Sequence, residues 1–417
     1  MVKRPRRLNT DTRPGLIFVR NETIDFDGYK QVYFSPFEAF IRAAMVRGLP
    51  CRFVLPVTNK RARMADPEIE ETIDKVGSAR GFFRGLLRTA EILVTLRRIR
   101  RETQYSTVVA RVPEHANLLL LPLLSLFGFD IVIWLVHDRL KVTLSDKESR
   151  ASLRSRIAAL VSRATGAVEA RYLRNCRVVS NGSYLAQRYC GDNARVQVVY
   201  STLVTEADRW ELAAFGRTYR RDPNHLRLVF AGRVSVEKGI GRLLDFVELL
   251  QALGRHEGIS CSCRIIGKID DTMLDYLERR VRSAPDPASI EVAGFMRRGP
   301  ELWDNFAKSD FFCLLSSAEG TPRVIPEAFA CGLPVIVSED ANADNVVDES
   351  DLVLTSAGLA ELARRVLALY RDEQAYHNVR VAVSERAKNY TIDVLLDRFF
   401  PSPVAAVVAP LHDRTWP

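Results

Sequence analysis

The stretch Phe311 to Ser338, FFCLLSSAEGTPRVIPEAFACGLPVIVS, leaves the chain few folds to choose from. Its opening apolar run, Phe311 to Leu315, predicts a buried strand. A loop of small and polar residues follows. A short helical pattern, Pro326 to Cys331, then ends at Gly332, a residue suited to a helix C-terminus. Pro334-Val335-Ile336-Val337 predicts the next parallel strand. Strand, loop, helix, strand is the repeating unit of an open parallel α/β sheet. Ligands of such sheets sit at the C-terminal ends of the strands, so a site is expected in the loop after Leu315.

Two carboxylates bracket that loop: Glu319 before the turn and Glu327 near the helix start, with seven residues between them. Gly320 lets the backbone approach a ligand closely or take a positive φ. Thr321 suits an N-cap and Pro322 a first helical residue, and Pro326 suits a first residue equally well. From either start, free N–H groups and the positive helix end point at the loop, which suits phosphate. A carboxylate only accepts hydrogen bonds, so it pairs with the vicinal hydroxyls of a sugar.

A second loop has complementary chemistry. The segment LRLVFAGRVSVEKGIGRLLDFVELL predicts a strand, Leu226 to Ala231, and an amphipathic helix, Ile240 to Leu253. Arg233 and Lys238 lie in the loop between them. Two cations there can clamp a diphosphate, each charge-assisted bond contributing roughly 1.5–3 kcal/mol. A lysine at a helix start opposes the helix dipole, and an anionic ligand accounts for it better than surface charge does.

The string Glu319-Gly320, Pro322, Glu327-Ala328, Ala330, Gly332-Leu333-Pro334-Val335-Ile336 resembles the Glu-x7-Glu motif of retaining GT-B glycosyltransferases, in particular glycosyltransferase family 4. Gly232-Arg233 with Glu237-Lys238-Gly239 resembles the diphosphate element of the same enzymes. The resemblance implies that Arg233 and Lys238 hold the donor pyrophosphate, that Glu319 contacts the donor sugar and that Glu327 holds the ribose diol. It also implies donor contacts from Gly320, Thr321, Pro322, Arg323 and Val324, from Gly28 in the first loop, and from Gly294-Phe295 against the base. His137 ends the strand Ile131 to Val136, where it either caps the strand or, as the resemblance implies, meets the donor sugar. Arg111 and His115, after the strand Thr107 to Ala110, are further loop candidates. Departures from the family are a single Gly28 in place of a glycine pair, Tyr200-Ser201-Thr202 in place of an Asn-Gly turn, and Gly267-Lys268 in place of a more glycine-rich turn.

A length of 417 residues predicts two domains. They are read as an acceptor-side domain at 1–205 and a nucleotide-sugar domain at 206–390, with a crossover helix and tail at 391–417 and the linker between about 202 and 226. The formal net charge of +9 favours anionic partners without choosing among them. Ser78 to Arg101 is a strongly basic helical pattern, which either rests on an anionic membrane or packs its apolar face into the core. The apolar window Leu118 to Val136 is cut by Pro122, Gly128 and Asp130, so a buried helix and strand are expected rather than a membrane span. Seven dispersed cysteines fit reduced thiols, with no zinc-ligand spacing. The basic N-terminus lacks an apolar segment and is not read as a secretory signal.

The expected fold is α/β, of the GT-B type, with two Rossmann-like doubly wound parallel-sheet domains facing across a cleft. The expected activity is retaining transfer of a sugar from a nucleotide diphosphate sugar to a glycan or lipid-linked acceptor, in cell-surface polysaccharide or glycolipid assembly. It needs no cofactor and, because no Asp-x-Asp is placed to hold one, no metal. The chain is expected in the cytoplasm, with residues 78–101 on the inner membrane surface as a further expectation. No nucleic-acid motif is present, and the absence of GxGxxG argues against a dinucleotide site. Two other readings stay open: a nucleotide-sugar epimerase or phosphorylase of the same plan, and a non-catalytic basic binding protein that keeps the fold.

Overall fold

The computed structural model describes residues 15–19, 25–27, 30–33, 38–58, 60–61, 66–77, 82–114, 116–137, 153–317, 319, 322–342, 344, 346–347 and 352–401. The chain divides into two compact units, one of Met1–Val199 with Asp393–Pro417 and one of Tyr200–Ile392.

The first unit contains β1 (Leu16–Val19), β2 (Asp25–Asp27), β3 (Lys30–Tyr33), α1 (Glu38–Val46), β4 (Cys51–Val57), α2 (Pro67–Thr72), β5 (Ile73–Gly77), α3 (Phe82–Thr103), β6 (Thr107–Val112), α4 (Asn117–Leu126), β7 (Asp130–Leu135), α5 (Leu153–Asn175), β8 (Arg177–Asn181), α6 (Ser183–Cys190) and β9 (Val196–Val199). Seven strands form one parallel sheet in the order β5-β4-β1-β6-β7-β8-β9, while β2 and β3 pair antiparallel in the loop after β1.

The second unit contains α7 (Glu206–Gly216), β10 (His225–Ala231), α8 (Ile240–His256), β11 (Ser260–Ile266), α9 (Leu274–Ser283), β12 (Ile290–Gly294), α10 (Pro300–Ala307), β13 (Phe311–Leu314), α11 (Val324–Ala330), β14 (Val335–Ser338), β15 (Val353–Leu354), α12 (Leu359–Arg371) and α13 (Glu373–Arg386). Its strands lie in the order β12-β11-β10-β13-β14-β15. β13 and β14 are buried along their whole length, as strands covered by helices on both faces must be. The order reverses between β10 and β13. That reversal is where successive crossovers leave on opposite faces and a crevice opens at the strand ends. The loops after these two strands are the ones that carry Arg233, Lys238 and Glu319.

The helix α14 (Ile392–Phe399) follows, and from Asp393 onward it belongs to the first unit. Phe399 lies edge-on to Phe18 at 5.2 Å and to Trp134 at 5.1 Å between ring centres. The tail beyond Pro401 is outside the described residues.

Several sequence expectations change. The helix after Glu319 starts at Val324, not at Pro322 or Pro326, because Ile325 N–H already closes a turn on the Pro322 carbonyl (3.2 Å). Pro326 therefore sits in the first turn, where a missing N–H costs nothing. The span read as a linker holds α7, whose Leu212 is fully buried in the second unit's core. Its start is fixed by a capping box: Asp208 N–H bonds Thr205 Oγ1 (3.1 Å) and Thr205 N–H bonds the Asp208 carboxylate (2.9 Å).

The basic pattern forms α3, and its apolar residues Ile92, Leu93, Leu96 and Ile99 are buried in the first unit's own core. Val94 on the same helix is 66% exposed, and residues 78–81 of the pattern lie outside the described residues. Arg97 stacks on Phe127 at 3.8 Å, and Arg98 pairs with Asp74 at 2.7 Å. The window from Leu118 to Val136 is α4 followed by β7. Among the described residues no helix is long and apolar enough to cross a membrane. All seven cysteines are free.

Candidate active site

The loop from Gly232 to Gly239 is tied down at both ends. Gly232 N–H bonds the Ile266 carbonyl (3.0 Å), Val234 N–H bonds the Lys268 carbonyl (2.9 Å), and Val234 is buried. Gly239 caps α8 at φ 73°, and a Cβ there would run into the Leu315 carbonyl at the end of β13. Only glycine allows the two strand-end loops to pass this closely. Ser317 N–H bonds the Glu237 carbonyl (3.0 Å) across the same gap.

This contact brings Lys238 to Glu319. Lys238 Nζ donates to both Glu319 oxygens, at 2.7 and 2.8 Å, and Ser316 Oγ donates to Oε1 at 2.6 Å. Ser338 Oγ in turn bonds the Ser316 carbonyl. Glu319 is 6% exposed and Lys238 27%, so the carboxylate is fixed from below while the ammonium keeps an outward face. Arg233, two residues after the end of β10, is 60% exposed and stands 3.9 Å from Asp270. Its guanidinium has reach to turn onto an anionic ligand. Beneath the loop, the buried Tyr200 donates its hydroxyl to the Pro322 carbonyl (3.2 Å). Burial, followed by Asp344, Tyr390 and Glu319, pushes its phenol well above the usual range, so it keeps the proton it donates.

Glu327 lies in the first turn of α11 and is buried. Arg298 Nε donates to Oε1 at 3.2 Å and Trp303 Nε1 to Oε2 at 3.4 Å. Burial raises the carboxyl's pKa, and Arg298 opposes that rise. Arg298 Nη2 also reaches Asp208 at 3.1 Å. Gly294 ends β12 at φ 73° with open space where a Cβ would be, and its carbonyl accepts from Gly267 N–H (2.8 Å). The next residue, Phe295, is 70% exposed and presents a flat apolar surface. Pro322 is buried, Val324 half-buried and Arg323 exposed. Beside these loops a cavity of about 470 Å³ opens between Val236, Gly239, Arg242, Met273, Tyr276 and Ser317.

Arg233, Lys238, Gly294, Phe295, Glu319, Pro322, Arg323, Val324 and Glu327 thus all belong to the second unit, and Lys238 and Glu319 are in direct contact. His137 belongs to the first unit, where it follows β7 and borders a cavity of about 60 Å³ with Pro113, Leu135, Glu169 and Tyr189. Arg111 sits 3.7 Å from Glu114. Gly28, His115, Gly320 and Thr321 lie outside the described residues.

Sequence reasoning missed Ser316, Tyr200, Asp208, Arg298 and Trp303. Only Asp208 left a local signal, its capping-box spacing from Thr205.

Residues 217–390 match the family model described as glycosyl transferases group 1, a span that contains Arg233, Lys238, Glu319 and Glu327. No curated protein sequence matches the chain. Its fold is that of the GT-B glycosyltransferases. HepE of Anabaena, solved in complex with UDP and glucose, is 16% identical with a TM-score of 0.58, over 93% of this chain and 98% of that one. WaaG, a glycosyltransferase involved in lipopolysaccharide biosynthesis, is 13% identical with a TM-score of 0.57, over 93% and 100%. Sucrose-phosphate synthase from Thermosynechococcus elongatus is 12% identical with a TM-score of 0.60, over 93% and 98%.

Proposed function

We propose that the protein is a retaining glycosyltransferase that moves a sugar from a nucleoside-diphosphate sugar to an acceptor. The observation that carries this reading is the meeting of Lys238 with Glu319 at the point where the strand order of the second sheet reverses. A cation for the diphosphate and a carboxylate for the sugar then stand side by side, as a bond between diphosphate and sugar requires. Arg233 and Lys238 neutralise the charge that builds on the leaving diphosphate. Two cations can do there what a divalent ion would do, which supports chemistry without a metal. Glu319 grips the sugar as its anomeric bond breaks, Glu327 takes the ribose hydroxyls and Phe295 lies against the base. His137 is assigned to the donor sugar on the sequence resemblance alone. WaaG's involvement in lipopolysaccharide biosynthesis supports a glycan or lipid-linked acceptor.

The test is a screen of UDP-, GDP- and ADP-sugars for donor turnover, followed by calorimetry of the free nucleotide. Arg233→Ala and Lys238→Ala should each weaken donor and free nucleoside diphosphate together, by about ten- to a hundredfold, because each loses a charge-assisted bond to phosphate. Unchanged diphosphate affinity in both variants removes the assignment. The anomeric configuration of the product, followed by NMR during turnover, checks retention.

A further inference from the structure

We infer that Arg298 is a positioning residue for the nucleoside end of the donor: it bridges Glu327 and Asp208 and so fixes the orientation of the carboxylate that receives the ribose diol. The inference rests on the donor reading given above. Arg298 belongs to neither the diphosphate loop nor the loop between the two glutamates; it lies between β12 and α10. Its fork is divided, with Nε on Glu327 Oε1 at 3.2 Å and Nη2 on Asp208 Oδ2 at 3.1 Å. Its guanidinium carbon lies 5.4 Å from the centre of the Trp303 ring, whose Nε1 takes the other Glu327 oxygen at 3.4 Å.

Each end of the bridge is itself fixed. Asp208 Oδ2 also accepts Thr205 N–H (2.9 Å) in the capping box of α7, so the start of a helix holds one anchor. Each oxygen of Glu327 accepts one protein bond and keeps lone-pair capacity for a hydroxyl. Two vicinal hydroxyls match that arrangement, one to each oxygen.

The charged and titratable groups facing Glu327 are Arg298, Asp208 and the Cys331 thiol. The thiol is pushed far up by burial and then by Glu327, and it stays neutral. With Arg298 gone, two carboxylates share the site and one of them is buried. Burial and like charge then both favour protonation of Glu327. A protonated carboxyl donates through one oxygen and receives the diol poorly.

The experiment is calorimetry from about pH 6 to about pH 9, using whichever of UDP, GDP and ADP the parent binds most tightly, alongside its 2′-deoxy form. The variants are Arg298→Gln, Arg298→Lys and Glu327→Gln. Arg298→Gln should bind the ribonucleotide about ten- to a hundredfold more weakly near pH 6, and its affinity should climb with pH more steeply than the parent's. The loss should be smaller for the 2′-deoxy form. Arg298→Lys keeps the charge but cannot fork between two carboxylates, so it should restore the parent's pH profile while remaining severalfold weaker. If Arg298→Gln does not fold, Arg298→Lys carries the test, and parent affinity for both nucleotide forms sinks the inference. If Arg298→Gln follows the parent in affinity and pH profile while Glu327→Gln is weakened, Arg298 has no positioning role and the donor reading stands. If Glu327→Gln itself binds like the parent, the donor reading fails and this inference fails with it.

Discussion

A single ammonium, that of Lys238, is shared between both oxygens of Glu319. A diphosphate therefore competes with Glu319 for Lys238, and the two glutamates should fail differently. Glu319→Gln removes the competing charge, so free nucleoside diphosphate should bind at least as tightly as to the parent. On the proposed role, the same change would lose the grip on the sugar as the anomeric bond breaks, so kcat should fall about ten- to a hundredfold. On the proposed role, Glu327 would bind the ribose equally in ground and transition states, so Glu327→Gln should mainly raise the donor KM. Donor-saturation kinetics and nucleotide calorimetry on the two variants check this, with thermal melts to establish folding. Weaker diphosphate binding by Glu319→Gln at parental kcat would falsify the division of roles. The residues that meet here, Lys238 and Glu319, were legible in the chain, because each sits in a short local string of recognisable residue types and spacings. The supporting residues were not: Arg298 is 29 positions from Glu327 and 90 from Asp208, and no local pattern links them.

The elements around the site act through close approach. Gly239 must hold a left-handed conformation at the start of α8 while it passes the Leu315 carbonyl. Gly239→Ala pays for a positive φ, about 1–2 kcal/mol, and adds a backbone collision to it. It should lower the thermal midpoint and, by pushing the loops apart, separate Lys238 from Glu319 and weaken diphosphate binding. A variant with the parent's midpoint and affinity would show that the loops can move apart freely. Strands were read well at this scale, since buried parallel strands are continuous apolar runs, as in Phe311–Leu314 and Val335–Ser338. Segments with mixed signals were read poorly. The charged residues Arg220, Arg221 and Asp222 suggested a linker, although the capping box at Thr205 already marked the start of α7. The start of α11 was ambiguous because two prolines and a threonine all favour a helix N-terminus.

Across the whole molecule, the first unit is discontinuous in sequence and is completed by the end of the described chain. Phe399 is fully buried against Phe18, Phe40 and Trp134, and Arg47 pairs with Asp397 on the same helix. Phe399→Ala should destabilise that unit by about 3–5 kcal/mol, a large part of a typical domain's 5–15 kcal/mol. Denaturant unfolding should show one transition moving to lower denaturant while the other stays. Two unmoved transitions would mean that the helix contributes little to the unit. The amino-acid sequence by itself determined two parallel α/β sheets and the charged residue types carried by the strand-end loops. Both are encoded over a few residues, by apolar runs, glycines and the spacing of charges. Only the tertiary structure decided which loops meet. The pairing of Lys238 with Glu319 depends on β10 and β13 becoming neighbours across a crossover of some eighty residues. The bridge from Asp208 through Arg298 to Glu327 likewise depends on three separate elements packing together, a choice made by the burial of their apolar faces and not by any local string.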